Sequence, residues 1–142
     1  MSKIAIIYWS GTGNTESMAQ SLFEGAKASG AVVDLFPCSA FNVSKAGEYD
    51  KFALGCPSMG AEELEDSEFL PLYESLKSFL TGKKVILFGS YGWGDGEWMR
   101  QWEKDCFASG AIKAHDSFIT EGTPDTNAKN ICHSLGKTLA EA

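Results

Sequence analysis

The sequence predicts an α/β fold: an open, doubly wound, five-stranded parallel sheet with helices on both faces, a three-layer sandwich. Three observations predict it. Short apolar, β-rich runs alternate with segments of helical periodicity along all 142 residues. The strand-like runs are apolar throughout, as expected of strands buried on both faces. The connecting stretches contain no linker, repeat or low-complexity tract, so residues 1–142 read as a single domain.

Each element has its own signal. Lys3 to Trp9 reads as the first strand, and the next segment places Met18, Ala19, Leu22, Phe23 and Ala26 at helical spacing before Gly30. A second strand starts at Ala31, residues 39–49 leave room for a short helix, and a third strand runs from Lys51 until Pro57 ends it. After an acidic loop, a helix starting near Ser67 carries Phe69, Leu72, Tyr73, Leu76 and Leu80 on one face. The run KKVILFGS is the fourth strand. The helix from about Glu97 buries Met99, Trp102 and Cys106, with Trp98 and Trp102 as packing residues. A fifth strand lies between Ile112 and Thr120. The last helix opens with Thr123 as N-cap, Pro124 at the first position and Asp125 near the positive dipole end. Its buried face is Ala128, Ile131, Cys132, Leu135 and Leu139.

Bulk properties narrow the function. A net charge of −7 argues against nucleic acid or anionic membrane as partner, because phosphate contacts require Lys and Arg, and leaves basic protein surfaces open. The apolar runs are strand-sized, and Met1-Ser2-Lys3 leads into IAIIYW without a signal-like segment, so a cytoplasmic protein is expected. The four cysteines form no Cys-x-x-Cys pair, Cys56 reads as a small buried hydrophobe, and His115 and His133 have no ligand cluster; no metal site is expected.

In such sheets ligands bind beyond the carboxyl ends of the strands, which points to the loops after strands one, three, four and five. The loop after the first strand, YWSGTGNTES, joins a strand to a helix, where unpaired backbone N–H groups carry partial positive charge. Gly11 and Gly13 let the backbone curl, and Ser10, Thr12 and Thr15 add hydroxyls: a cradle for an anion without a cation. The Lys of a nucleoside-triphosphate loop is missing, and Glu16 stands where a dinucleotide fingerprint needs its third glycine. A single terminal phosphate is the favoured ligand. Met59-Gly60 after the third strand and Gly92-Trp93-Gly94 after the fourth set large apolar side chains beside glycine, which suits contact with a flat ring.

SGTGNT, MGAEELEDSEF and GSYGWGDGEWM, in this order after strands one, three and four, together resemble the short-chain flavodoxins over essentially the whole chain. The resemblance implies strand order 2-1-3-4-5 with flavin mononucleotide (FMN) at the switch point between strands one and three, the arrangement the fold is known for. It implies a phosphate held by Ser10, Gly11, Thr12, Gly13, Asn14 and Thr15, with a further hydroxyl from Ser90. Met59 then lies against the inner face of the ring and Trp93 against the outer. Glu62 accepts from the ring N3–H, while backbone at Gly60, Ala61, Glu62 and Gly92 meets the other edges, flanked by Ser58, Tyr91 and Gly94. Pro57 departs from the family, which often has a small hydroxyl residue there, and offers no N–H to the ribityl chain.

Half-reduction makes flavin N5 a donor, so a carbonyl turned toward it favours the semiquinone; the Gly60–Ala61 peptide is the candidate. Glu62, Glu63, Glu65, Asp66 and Glu68 place five acids in seven positions near the ring. At ~10 Å each carboxylate costs an anionic hydroquinone about 0.4 to 1.7 kcal/mol for effective dielectrics of ~80 to ~20, or roughly 20 to 70 mV. The plainer account makes them a solvated loop and the N-terminal charge of the next helix. The expected function is a low-potential, soluble, monomeric carrier of single electrons through noncovalently bound FMN, docking transiently on partner proteins through its acidic rim. It has no substrate chemistry of its own. The alternatives are an FMN-dependent NAD(P)H:quinone-type oxidoreductase, disfavoured by Trp93 over one ring face, and an activator dedicated to one enzyme.

Overall fold

The computed structural model describes residues 3–142; Met1 and Ser2, with the expectation about a leader segment that rests on them, lie outside that range. The chain runs β1 (Lys3–Tyr8), α1 (Asn14–Ala28), β2 (Val32–Pro37), β3 (Lys51–Gly55), α2 (Phe69–Leu76), β4 (Lys84–Tyr91), α3 (Glu97–Ala108), β5 (Ile112–Lys113), β6 (Phe118–Glu121) and α4 (Thr126–Glu141). The expected short helix at 39–49 is a pair of 3₁₀ turns, Cys38–Ala40 and Val43–Glu48.

All pairings between these strands are parallel, in the order β2-β1-β3-β4-β5. The expected fifth strand is interrupted: β5 pairs with Lys84 and Val85, and β6 with Phe88 to Tyr91 on the same edge of β4. Residues 114–117 separate them, and Lys113 at the end of β5 pairs with Asp116 in that stretch at 3.2 Å and with Glu103 of α3 at 3.3 Å. Interrupted, charged edges of this kind resist pairing with other chains.

Alternation along the strands sends side chains to two packed faces. Ile4, Ile6, Ala53, Ile86 and Phe88 meet α1 and α4 on one side. Ala5, Ile7, Phe52, Leu54, Val85 and Leu87 meet α2, α3 and the 3₁₀ turns on the other. Trp98 and Trp102 are buried there, as their helical spacing predicts. Helices α1 and α4 approach so closely that a Cβ on Gly25 would lie 1.9 Å from the His133 carbonyl oxygen, and one on Gly136 2.0 Å from that of Leu22. At the amino end of β3, Lys51 is buried and donates to the carbonyls of Leu139, Ala140 and Ala142 at 2.8–3.0 Å. It caps the carbonyl end of α4 and fixes that helix on the sheet.

The N-cap of α4 is Asp125, not Thr123: its carboxylate accepts from Ala128 N–H at 2.8 Å, so Pro124 precedes the helix. Both residue types can cap, and the reach to the third helical amide decides between them.

Candidate cofactor site

A cleft of about 250 Å³ opens at the carboxyl ends of β1, β3 and β4. One wall is the loop after β1, with Gly11, Thr12 and Asn14; the floor is the end of β4, with Ser90 and Tyr91. Pro57, Ser58, Met59 and Gly92 complete it. The loops after β1, β3 and β4 are three of the four singled out from the sequence, and Gly122, in the loop after the fifth strand, also reaches the cleft.

The first loop turns into α1 at Gly13, whose φ of 94° lies in the left-handed region that glycine enters at little cost. Ser10 has a role the sequence did not disclose. Its Oγ accepts from the N–H groups of Gly13 (3.1 Å) and Glu16 (3.2 Å), so the hydroxyl ties down the start of α1 from below. The N–H groups of Gly11, Thr12, Asn14 and Thr15 have no acceptor among the described residues and remain as donors at the helix N-terminus. Thr15 and Ser90 are buried, and their hydroxyls share a hydrogen bond of 2.9 Å that fastens this loop to β4.

The second loop forms a tight turn. Met59 and Glu63 exchange both backbone hydrogen bonds at 2.8 Å, closing Gly60, Ala61 and Glu62 into a protruding tip. Gly60 has φ 54° and Glu62 φ 56°. Met59 N-terminal to this tip is 37% exposed, and Trp93 in the third loop is 56% exposed, an unusual amount for an indole. Ser58 donates its N–H to the Ser90 carbonyl at 3.0 Å, whereas its Oγ is buried without a partner. A buried hydroxyl left alone costs free energy, so a polar group inside the cleft is its natural complement.

The acidic run divides in two. Glu65 is buried, 6% exposed, and its carboxylate accepts from the N–H groups of Ser67 (2.9 Å), Glu68 (2.7 Å) and Phe69 (2.8 Å) and from the Ser67 hydroxyl. Burial alone pushes its pKa up, but these donors outweigh burial and bring it down to about 2. Glu65 is the anchor of α2, the helix N-terminal charge that the plainer account foresaw, and it keeps its negative charge at neutral pH. Glu62 also reaches a helix start: its Oε2 accepts from Glu97 N–H at 2.9 Å. Glu63, Asp66 and Glu68 are exposed, with Glu68 Oε1 receiving the Trp9 indole N–H at 3.2 Å.

Of the residues named from the sequence, Gly11, Thr12, Asn14, Pro57, Ser58, Met59, Ser90, Tyr91 and Gly92 line the cleft. Ser10, Gly13 and Thr15 support it from beneath, and Gly60, Ala61, Glu62, Trp93 and Gly94 stand in the flanking loops. Trp9 and Gly122 also line the cleft and were not named as site residues, although Gly122 lies in the loop after the fifth strand that the fold points to. Trp9 closes an apolar run that reads as strand, and its place in the cleft follows from β1 ending at Tyr8. The four cysteines are free and buried; Cys56 Sγ accepts from Glu65 N–H at 3.4 Å, a packing role like the one foreseen.

A family model described as flavodoxin matches residues 6–135. The chain belongs to the flavodoxin family. It is 46% identical to a flavodoxin of Megasphaera elsdenii over 98% of this chain and 99% of the relative, and 44% identical to one of Clostridium beijerinckii over 95% and 97%. The solution structure of two-electron reduced Megasphaera elsdenii flavodoxin superimposes with a TM-score of 0.89 at 45% identity, covering 98% of this chain and 99% of that one. Oxidised flavodoxin 1 of Bacillus cereus gives 0.87 at 26% identity, covering 99% and 98%. Flavodoxins are small electron-transfer proteins that depend on FMN, and this membership favours electron transfer over the NAD(P)H:quinone alternative. No helix among the described residues is long and apolar enough to cross a membrane.

Proposed function

We propose that residues 1–142 act as one domain, a monomeric cytoplasmic carrier that takes up and releases single electrons through FMN held in the cleft between the first three loops. The observation that carries this reading is the donor set. Backbone N–H groups of Gly11, Thr12, Asn14 and Thr15, at the start of α1, have no acceptor among the described residues and can serve a phosphomonoester. The buried, unpartnered Ser58 hydroxyl suits a polyol chain leading away from that phosphate. Pro57 lines the same wall without an N–H, so Ser58 carries the polar contact on that side. Met59 and Trp93, exposed on the loops after β3 and β4, supply apolar surfaces for the two faces of the ring.

Bound FMN supplies the one-electron chemistry; the residues set its environment. Ser10, Gly13 and the Thr15–Ser90 pair hold the phosphate loop in shape. The Gly60–Ala61 peptide, at the tip of a turn closed by Met59 and Glu63, is placed to meet a ring edge, together with Glu62, Tyr91, Gly92 and Gly94. The exposed acids Glu63, Asp66 and Glu68 disfavour added negative charge on the ring and offer a docking face for basic partner surfaces. The chain has no substrate reaction of its own on this account.

Anaerobic reductive titration of the FMN-loaded protein tests it. Two separated one-electron steps, with no NAD(P)H oxidation by the protein alone, are expected. A single two-electron step accompanied by rapid NAD(P)H oxidation would overturn it.

A further inference from the structure

Among the described residues, Glu62 is the only one other than glycine at positive φ. An L side chain is disfavoured in that region, so something must hold it. The Met59–Glu63 bond pair closes the turn, and among the described residues no further backbone hydrogen bond holds the peptides of residues 60–62. The remaining contact is the Glu62 carboxylate on Glu97 N–H, at the first position of α3. The Glu97 amide is one of the first N–H groups of α3, which have no intrahelical acceptor, and the N-cap Gly96 brings no side chain to this helix start; the acceptor comes from the other loop. The route is open because residue 94 is glycine. A Cβ there would lie 2.3 Å from Glu62 Oε1 and 2.4 Å from its Cδ, inside van der Waals contact.

We propose that Gly94 is a positioning residue: the missing side chain lets Glu62 reach the start of α3, and that bond sets the conformation of the 59–63 turn. The two loops on either side of the cleft are thereby locked to each other. The redox consequence rests on the FMN reading above; the lock itself does not. A rival explanation is that Gly94 is needed only for its own φ of 84°. Gly82 separates the two. It has φ 77° and nothing within 4 Å of its Cβ position, so an alanine there meets the same backbone penalty and no carboxylate.

The experiment compares Gly94→Ala, Gly82→Ala, Glu62→Ala and the Glu62→Ala/Gly94→Ala double variant. Urea unfolding of the apoprotein reads the lock, and the two one-electron potentials of the FMN-loaded protein read its effect on the cofactor. Gly94→Ala is expected to lower the folded-to-unfolded ratio on the order of tenfold more than Gly82→Ala, because it displaces a charged cap. In the Glu62→Ala background that excess disappears, the non-additivity expected of a direct contact. Gly94→Ala also shifts the gap between the two potentials in the same direction as Glu62→Ala, and Gly82→Ala leaves it unchanged. Equal effects of Gly94→Ala and Gly82→Ala, in both backgrounds, would overturn the lock. Coupling in the apoprotein with unmoved potentials would overturn its service to the cofactor. Failure of every variant and of the parent to bind FMN would sink the FMN reading while the apoprotein coupling stood.

Discussion

Replacing Glu65 by glutamine isolates the buried member of the acidic run. The carboxylate is 6% exposed and receives three backbone N–H groups at 2.7–2.9 Å and the Ser67 hydroxyl. Burial raises its pKa, yet the hydrogen bonds carry it from an ordinary value near 4.5 down to about 2. That gap corresponds to roughly 3 kcal/mol of folding free energy at neutral pH. The folded-state pKa lies below the unfolded one. The contribution is therefore complete above about 4.5 and is lost as pH falls through about 2. Glutamine keeps the shape and one acceptor but turns an NH₂ toward amide donors, so the variant loses roughly 2–3 kcal/mol at pH 7. Because glutamine does not titrate, the difference between the two proteins shrinks to roughly half or less by about pH 3. Urea unfolding of the apoproteins between these pH values measures both numbers. A variant within about 0.5 kcal/mol of the parent at neutral pH, or a difference that does not change with pH, would refute Glu65 as the anchor of α2.

Three further outcomes are expected. Ser58→Ala removes a buried hydroxyl that has no partner, so apoprotein stability stays level or rises by up to ~1 kcal/mol while FMN affinity falls; isothermal titration and urea unfolding together check the opposite signs. Trp93→Ala strips a half-exposed indole from the third loop and weakens FMN by about 1–3 kcal/mol, a five- to 150-fold rise in Kd by fluorescence titration, with apoprotein unfolding unchanged. Gly60→Val places a Cβ with no atom within 4 Å of it but is forced against a φ of 54°, so it costs about 1–2 kcal/mol locally and, in a redox titration, brings the two one-electron potentials closer together.

The sheet and its helices were legible because burial on both faces writes unbroken apolar strands, and because Phe69, Tyr73, Met99, Trp102 and Leu135 keep helical spacing. The cleft was legible for a related reason: glycines, hydroxyls and exposed large side chains collect in the loops after β1, β3 and β4, where a strand end cannot use them. What escaped depends on distance through space. Glu65 looks like one more surface acid until β3 and α2 fold over it, when Cys56 Sγ takes its N–H and its carboxylate takes the helix amides. Ser10 reads as a ligand donor, and only the curl of the loop shows its oxygen already accepting from Gly13 and Glu16. Thr123 and Asp125 both satisfy capping preference, and the choice rests on one contact with Ala128. Trp9 belongs by composition to β1, and its place in the cleft follows from the strand ending one residue earlier.

On the proposed reading, uncharged donors at the start of α1 grip the FMN phosphate, and the flavin ring lies across the loops after β3 and β4. Parallel titrations of the apoprotein with FMN and with riboflavin test it most directly. Quenching of flavin fluorescence at one FMN per chain is expected, with riboflavin bound at least about 100-fold more weakly, the worth of two hydrogen bonds to a charged group. Absence of quenching by FMN, or equal affinity for the two flavins, would contradict it.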